Sequence, residues 1–234
     1  MHRAATRHRS MSPDLNRKSH SMASEAKALE AIREVFENVY GHSRILNNIV
    51  LPTGQEQGPP TSEYDVIVIC SAGIIIFESK GWNADRLVCK HYPEGKSQWF
   101  LIQGSVSQPI RDPIAQGGFK TRYLSSQLPG VRVKNYVVPT NQALQIDPKC
   151  TSHVVGFNDL PYLARMSRFR SKKTGNFHLL KRDEIDAIAN TIVELSSQYT
   201  IDEHIASLEK WIKSRNTQCN RDASTQQSAG LHDR

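Results

Sequence analysis

Leu29, Ile32, Val35 and Phe36 recur at helical spacing behind Ser24, a residue type suited to cap a helix N-terminus. The apolar runs 45–51, 64–69 and 74–79 have strand length and are rich in β-branched residues. The last two flank Ser71-Ala72-Gly73 and predict a strand pair. Runs 87–90 and 98–102 predict a second hairpin across residues 92–96. Asp112 followed by Pro113 marks the start of a helix directed toward Leu128. Strands are expected at 131–138 and 153–157, then a short helix from Asp159 to near Met166. Ile185, Ile188, Ile192 and Leu195, then Ile201, Ile205, Leu208 and Ile212, predict two closing helices. Helix, mixed strands, helix, strands and helices in that order describe an α/β fold. Its expected form is a mixed central β-sheet flanked by helices, with additional C-terminal helices.

Outside this pattern lie two polar stretches. Residues 1–21 are rich in Arg, His and Ser, and residues 215–234 in Gln and Ser; both are expected to be disordered tails around one domain spanning 22–214. The tails change the meaning of the net charge, which is +7 for the 234 residues. Arg3, Arg7, Arg9, Arg17 and Lys18 against Asp14 give the first twenty residues +4, and Arg215, Arg221 and Arg234 against Asp222 and Asp233 give the last twenty +1. The folded middle keeps only +2, so basicity alone argues little for nucleic-acid binding by the fold. No apolar run reaches the ~18 residues of a membrane span. The four cysteines (Cys70, Cys89, Cys150, Cys219) show neither zinc spacing nor the density of a disulfide scaffold, which fits a cytoplasmic protein.

Chemistry concentrates in the central strand pair. Side chains alternate along a strand, so Glu78 and Lys80 share a face. If Ser71-Ala72 is a two-residue turn, Cys70 pairs with Gly73, and counting outward sets Asp65 opposite Glu78. A slip of one residue would oppose Asp65 to Ser79 and break the cluster. Two carboxylates side by side repel unless a cation lies between them, and their hard oxygens suit Mg²⁺ or Mn²⁺. An ammonium beside them can orient a water or take part in proton transfer. Against this stands the plain reading that Glu-x-Lys is a solubilising strand end.

The blocks Tyr-Asp-Val-Ile-Val-Ile (64–69), Gly-Ile-Ile-Ile-Phe-Glu-Ser-Lys-Gly-Trp (73–82), Gln98-Trp99 and Asp112-Pro113-Ile114-Ala115-Gln116 resemble, in order and spacing, the nuclease-related domain (NERD) family of the PD-(D/E)xK superfamily. The resemblance covers roughly residues 24–157. It implies a four-stranded mixed central sheet, with Asp65 and Glu78 as metal ligands and Lys80 as the catalytic lysine. It also carries over Glu25, where Ser24-Glu25 stands in place of the family's Gly-Glu, and Gln116, with Asp112 replacing the family's Asn. Gly117-Gly118-Phe119 brings no histidine where relatives often have one. In a helix each glycine costs roughly 1 kcal/mol relative to alanine. The pair reads either as a close backbone approach or as a kinked helix start.

The expected reaction is Mg²⁺- or Mn²⁺-dependent hydrolysis of phosphodiester bonds in nucleic acid, DNA ahead of RNA, with no membrane partner. Arg165, Arg168, Arg170, Lys172 and Lys173, with Phe169 among them, are expected on a loop that could hold phosphates, extended by Lys181 and Arg182. Trp82 could stack on a base, and Arg86, Lys90 and Lys96 could assist. The rival reading is a catalytically idle nuclease fold used as a binding module.

Overall fold

The computed structural model describes residues 13–55, 58–92, 97–150, 153–173 and 178–229. Its elements are helix α1 (Pro13–Tyr40), strands β1 (Ser43–Pro52), β2 (Thr61–Cys70), β3 (Gly73–Lys80), β4 (Arg86–His91), β5 (Ser97–Gln103) and β6 (Val106–Ile110), helix α2 (Pro113–Gln127), strands β7 (Val133–Pro139) and β8 (Gln145–Ile146), and helices α3 (Leu160–Lys173), α4 (Arg182–Ser196) and α5 (Ile201–Ala229). The central sheet has the order β1-β2-β3-β7, antiparallel except for the parallel β3–β7 pair. It is the expected four-stranded mixed sheet.

Helices cover both of its faces. Ile32 and Phe36 of α1, with Leu160 and Ala164 of α3, bury Val66, Val68, Ile75, Phe77 and Tyr136. On the other face Leu124 of α2 and Ile185, Ile188 and Ile192 of α4 bury Ile67, Ile69, Ile74 and Ile76. Burial on both sides explains why β2 and β3 read as continuous apolar runs rather than alternating ones. Helix α5 closes over the start of β2, where Thr61 Oγ1 lies 2.8 Å from His204 Nδ1.

The turn between β2 and β3 has the expected register: Cys70 pairs with Gly73 and Val66 with Phe77. Gly73 sits at φ +109°, and a Cβ there would lie 2.3 Å from the Arg132 carbonyl oxygen, so only glycine fits. The same carbonyl accepts the Ile74 N–H at 2.8 Å and so ties the turn to the entry of β7. Asp112 caps α2 as expected, its Oδ1 accepting from the Ile114 and Ala115 N–H groups at 2.8 and 3.1 Å.

Several expectations are corrected. Helix α1 begins at Pro13, so Ser24 lies within it rather than at its cap; proline's fixed φ suits a first helical turn, and nothing from Leu15 to Tyr40 is a glycine or proline. Helix α5 likewise continues through the stretch expected as a tail as far as Ala229, because Gly230 is the first breaker after Ile201. Residues 1–12 and 230–234 lie outside the described residues. Residues 153–157 form no strand: Val154 makes one parallel bridge to Val137, and a 3₁₀ turn follows at Phe157–Asp159. The basic run is not a loop but the last turns of α3. Beyond the expected β4–β5 pair, β6 and β8 complete a second four-stranded sheet, β6-β5-β4-β8. The β5–β6 turn is a Gly104-Ser105 pair with Gly104 at φ +56°, and Pro109 sits on the edge strand where a missing N–H is harmless.

Candidate metal-dependent nuclease site

Asp65, Glu78 and Lys80 lie together at the open end of the β2–β3 pair. Counting on from Val66–Phe77 puts Asp65 opposite Glu78. The Asp65 side chain takes over from the ladder here, its Oδ2 accepting the Ser79 N–H at 2.7 Å. Side-chain alternation along β2 breaks at this residue. Tyr64 joins Ile67 and Ile69 in the cluster beneath α2 and α4, whereas Asp65 lines a cleft of about 170 Å³ with Glu25, Leu29, Asn47, Asn48 and Ser79. Opposite the break on β1, Asn48 adopts φ +52°, a conformation asparagine tolerates better than most side chains.

Both carboxylate oxygens of Glu78 are engaged. Lys80 Nζ donates to Oε1 at 2.9 Å, and Lys120 Nζ donates to Oε2. Lys120 reaches in from α2 with 5% of its side chain exposed, its ammonium 5.2 Å from the centroid of the Tyr64 ring. The Tyr64 hydroxyl in turn donates to the Lys120 carbonyl at 3.2 Å. Burial alone would raise the Glu78 pKa, but the two ammoniums override it and hold the carboxyl below the usual carboxylate range. Asp65 goes the other way: burial and the negative charge of Glu78 push it well above that range, only partly offset by Lys120, the Ser79 N–H and Lys80. Glu63 is also raised, by burial and then by the charge of Glu25. Burial, reinforced by the charge of Lys120, lowers the pKa of His204.

Four carboxylates, Glu25, Glu63, Asp65 and Glu78, therefore lie within electrostatic reach of one another in overlapping pairs. Of the residues expected from sequence, Asp65, Glu78 and Lys80 are brought together, and Glu25 shares the cleft with Asp65. Gln116 lies on α2 one turn before Lys120, and its side chain lies outside the described residues. Lys120 and Glu63 went unread. Glu63-x-Asp65 repeats the two-residue spacing of Glu78-x-Lys80, and Lys120 stands between Gly117 and Leu124 on the buried face of α2, where a lysine needs a partner. Gly117 answers the question of the paired glycines: a Cβ there would lie 1.8 Å from Asn135 Nδ2, so the helix backbone rests against β7.

The donor set fits a hard divalent cation. It consists of carboxylates whose charges oppose one another, and the Ser79 hydroxyl lining the same cleft is buried with no hydrogen-bond partner among the described residues. Among those residues no three His, Cys, Asp or Glu side chains already converge on a single ion position. Glu78 would have to release an ammonium to become a ligand.

The expected basic surface lies elsewhere. The Arg168 guanidinium donates to the Val39 carbonyl at the C-terminal end of α1, and Arg165 and Phe169 line a shallow cleft beside it. Glu25 is fourteen residues earlier on the same helix, roughly 21 Å away. Lys181 precedes α4, and its N–H donates to Glu184 Oε2 at 2.7 Å. Lys90 lies 5.3 Å from the Phe100 ring centroid, and the Trp82 carbonyl accepts from Asn141 Nδ2 at 3.4 Å. The side chains of Lys172 and Lys173, and all of Lys96, lie outside the described residues. Among the described residues no helix is long and apolar enough to cross a membrane.

A mixed sheet between helical layers, with an Asp and a Glu-x-Lys at the open end of its central hairpin, defines a restriction-endonuclease-like α/β core. The chain belongs to the nuclease-related domain family (NERD), whose profile matches residues 21–147, more than half of its length. Placement in the PD-(D/E)xK superfamily is consistent with that family. No curated protein and no solved structure matches the chain.

Proposed function

We propose that this nuclease-related domain hydrolyses phosphodiester bonds in nucleic acid, DNA in preference to RNA, with Mg²⁺ or Mn²⁺ as cofactor. The observation that carries the reading is the close approach of the two carboxylates at the end of one hairpin: Asp65 accepts the N–H of Ser79, next to Glu78, and feels the Glu78 charge, while Lys80 bonds the Glu78 carboxylate. Asp65 and Glu78 would hold the cation, with Glu25 bordering the cleft. When bound, the ion supplies a Lewis acid that lowers the pKa of a water and offsets charge on the phosphate. The chain's own part is to position and to balance charge. Lys80, once freed from Glu78, orients the attacking water. Lys120 stays beneath the site as a buried positive charge that keeps Glu78 ionised, and Gln116 assists from the turn before it.

A second reading, the idle nuclease fold serving as a binding module, draws on the same cluster. With two ammoniums on one carboxylate, Glu78 is already neutralised without a metal. Calorimetric titration of Mn²⁺ and Mg²⁺ into wild type and Asp65→Ala, paired with cleavage assays on mixed DNA and RNA, separates the two. The nuclease reading expects saturable metal uptake and cleavage, both lost in the variant. No uptake by wild type, even with nucleic acid present, would overturn it in favour of the idle fold.

A further inference from the structure

Between α3 and the face of β7 away from Glu78 lies a cavity of about 530 Å³, well inside the size range of small-molecule sites. Two chemistries meet in it. Lys134 of β7 and Arg170 of α3 line it, with Asp159 as the acid among the lining residues. Tyr136, Tyr162, Leu163 and Met166 contribute rings and apolar surface. Tyr136 is almost wholly buried and Tyr162 is 63% exposed, so one tyrosine lies deep and the other at the mouth.

The cations are crowded. Lys134 is half-buried and makes no ion pair among the described residues, and burial lowers its pKa, as do the charges of Arg132 and Arg170. The same two arginines act on the Tyr136 hydroxyl, against the dominant effect of its burial. Lys134 and Arg170 reach one cavity wall from β7 and α3, where both can donate charge-assisted hydrogen bonds to an anion seated between them. The Tyr136 ring is already packed against Phe77 and His153, whereas the exposed Tyr162 with the apolar walls of Leu163 and Met166 suits a flat ring carried by the same molecule.

We propose that this cavity is a binding site for a nucleoside monophosphate, its phosphate held by Lys134 and Arg170 and its base against Tyr162, Leu163 and Met166. Alternation along β7 sets Lys134 and Tyr136 opposite Asn135, which meets α2 on the Glu78 side of the sheet, so the cavity lies across the sheet from Glu78 and Lys120. The proposal does not depend on the nuclease reading.

Calorimetric titration of the full chain with adenosine 5′-monophosphate in metal-free buffer tests it, with adenosine and inorganic phosphate as part-ligands. The monophosphate should bind saturably, at least tenfold more tightly than either part. Lys134→Gln and Arg170→Gln should each weaken it at least tenfold, and Tyr162→Ser, at an exposed position that leaves folding intact, several-fold. Thermal unfolding establishes that each variant is folded. Absence of saturable binding by wild type would overturn the proposal. So would a dissociation constant unchanged in Lys134→Gln and Tyr162→Ser, or inorganic phosphate binding as tightly as the nucleotide.

Discussion

At the turn of the β2–β3 hairpin, Cys70, Ile74 and Ile75 are buried between two helical layers, and Gly73 fits a backbone path that no side chain could share. Five residues along β2, the same two strands hold Asp65, Glu78 and Lys80, with half-buried charges and a carboxylate whose pKa rises against a neighbour of like sign. One end is satisfied by shape alone. The other sets two carboxylates against each other, with Lys80 and Lys120 balancing Glu78 and burial opposing the charge of Asp65. Because a strand pair has one register, the turn governs which side chains meet at the mouth, so the candidate site is specified in part by residues outside it.

Three substitutions probe this contrast, in descending order of effect. Gly73→Ala forces a Cβ into the Arg132 carbonyl at a positive φ. It should cost at least about 2 kcal/mol in urea unfolding. A cost below 0.5 kcal/mol, by the same estimate of surface-like changes, would mean the turn does not fix the register.

Lys120→Met removes the more buried of the two ammoniums on Glu78 and should cost on the order of 1–3 kcal/mol at pH 8, less than loss of a sole buried partner. Glu78 has a depressed folded pKa, so its contribution is present above the unfolded carboxylate value and is lost as pH falls through the folded one. The deficit of the variant should therefore shrink in acid. A pH-independent deficit would assign Lys120 a packing role only.

Asp65→Asn should do the opposite and stabilise the metal-free protein. A raised folded pKa means the native state holds the proton more tightly, so stability declines as pH climbs from the unfolded value, ~3.9, through the folded one. Asparagine can still accept the Ser79 N–H but carries no charge. We expect a gain on the order of 1 kcal/mol at pH 8 and none near pH 3.5. If chemical denaturation shows Asp65→Asn less stable at pH 8, the acid end is not under repulsion.

Much of the fold was legible because local rules and burial agreed. The β2–β3 turn, the Asp112-Pro113 helix start and the two closing helices all had strong signals. The meeting of Glu78 and Lys80 was legible for the same reason, since strand periodicity turns spacing into geometry, whereas Asp65 sits where that periodicity breaks. Lys120 was not, because its partner lies 42 residues away and only packing of α2 on the sheet joins them. The basic run on α3 misled in another way: its residue types looked like a loop, yet no glycine or proline from Tyr162 to Lys173 breaks the helix. Strand β6 went unread for want of an apolar pattern, its residues being mostly exposed on a sheet edge.

Gly117 has a consequence of a mechanical kind. It is where α2 touches β7, and Lys120 projects from nearly the same side of the helix one turn later. The helix thus behaves as a lever resting on the Asn135 side chain, with a charged tip set to the depth of Glu78. A side chain at the fulcrum must either displace Asn135 or raise the tip. The depth of the ammonium, and with it the charge balance under the acid cluster, is gauged by a missing methyl group on the neighbouring turn.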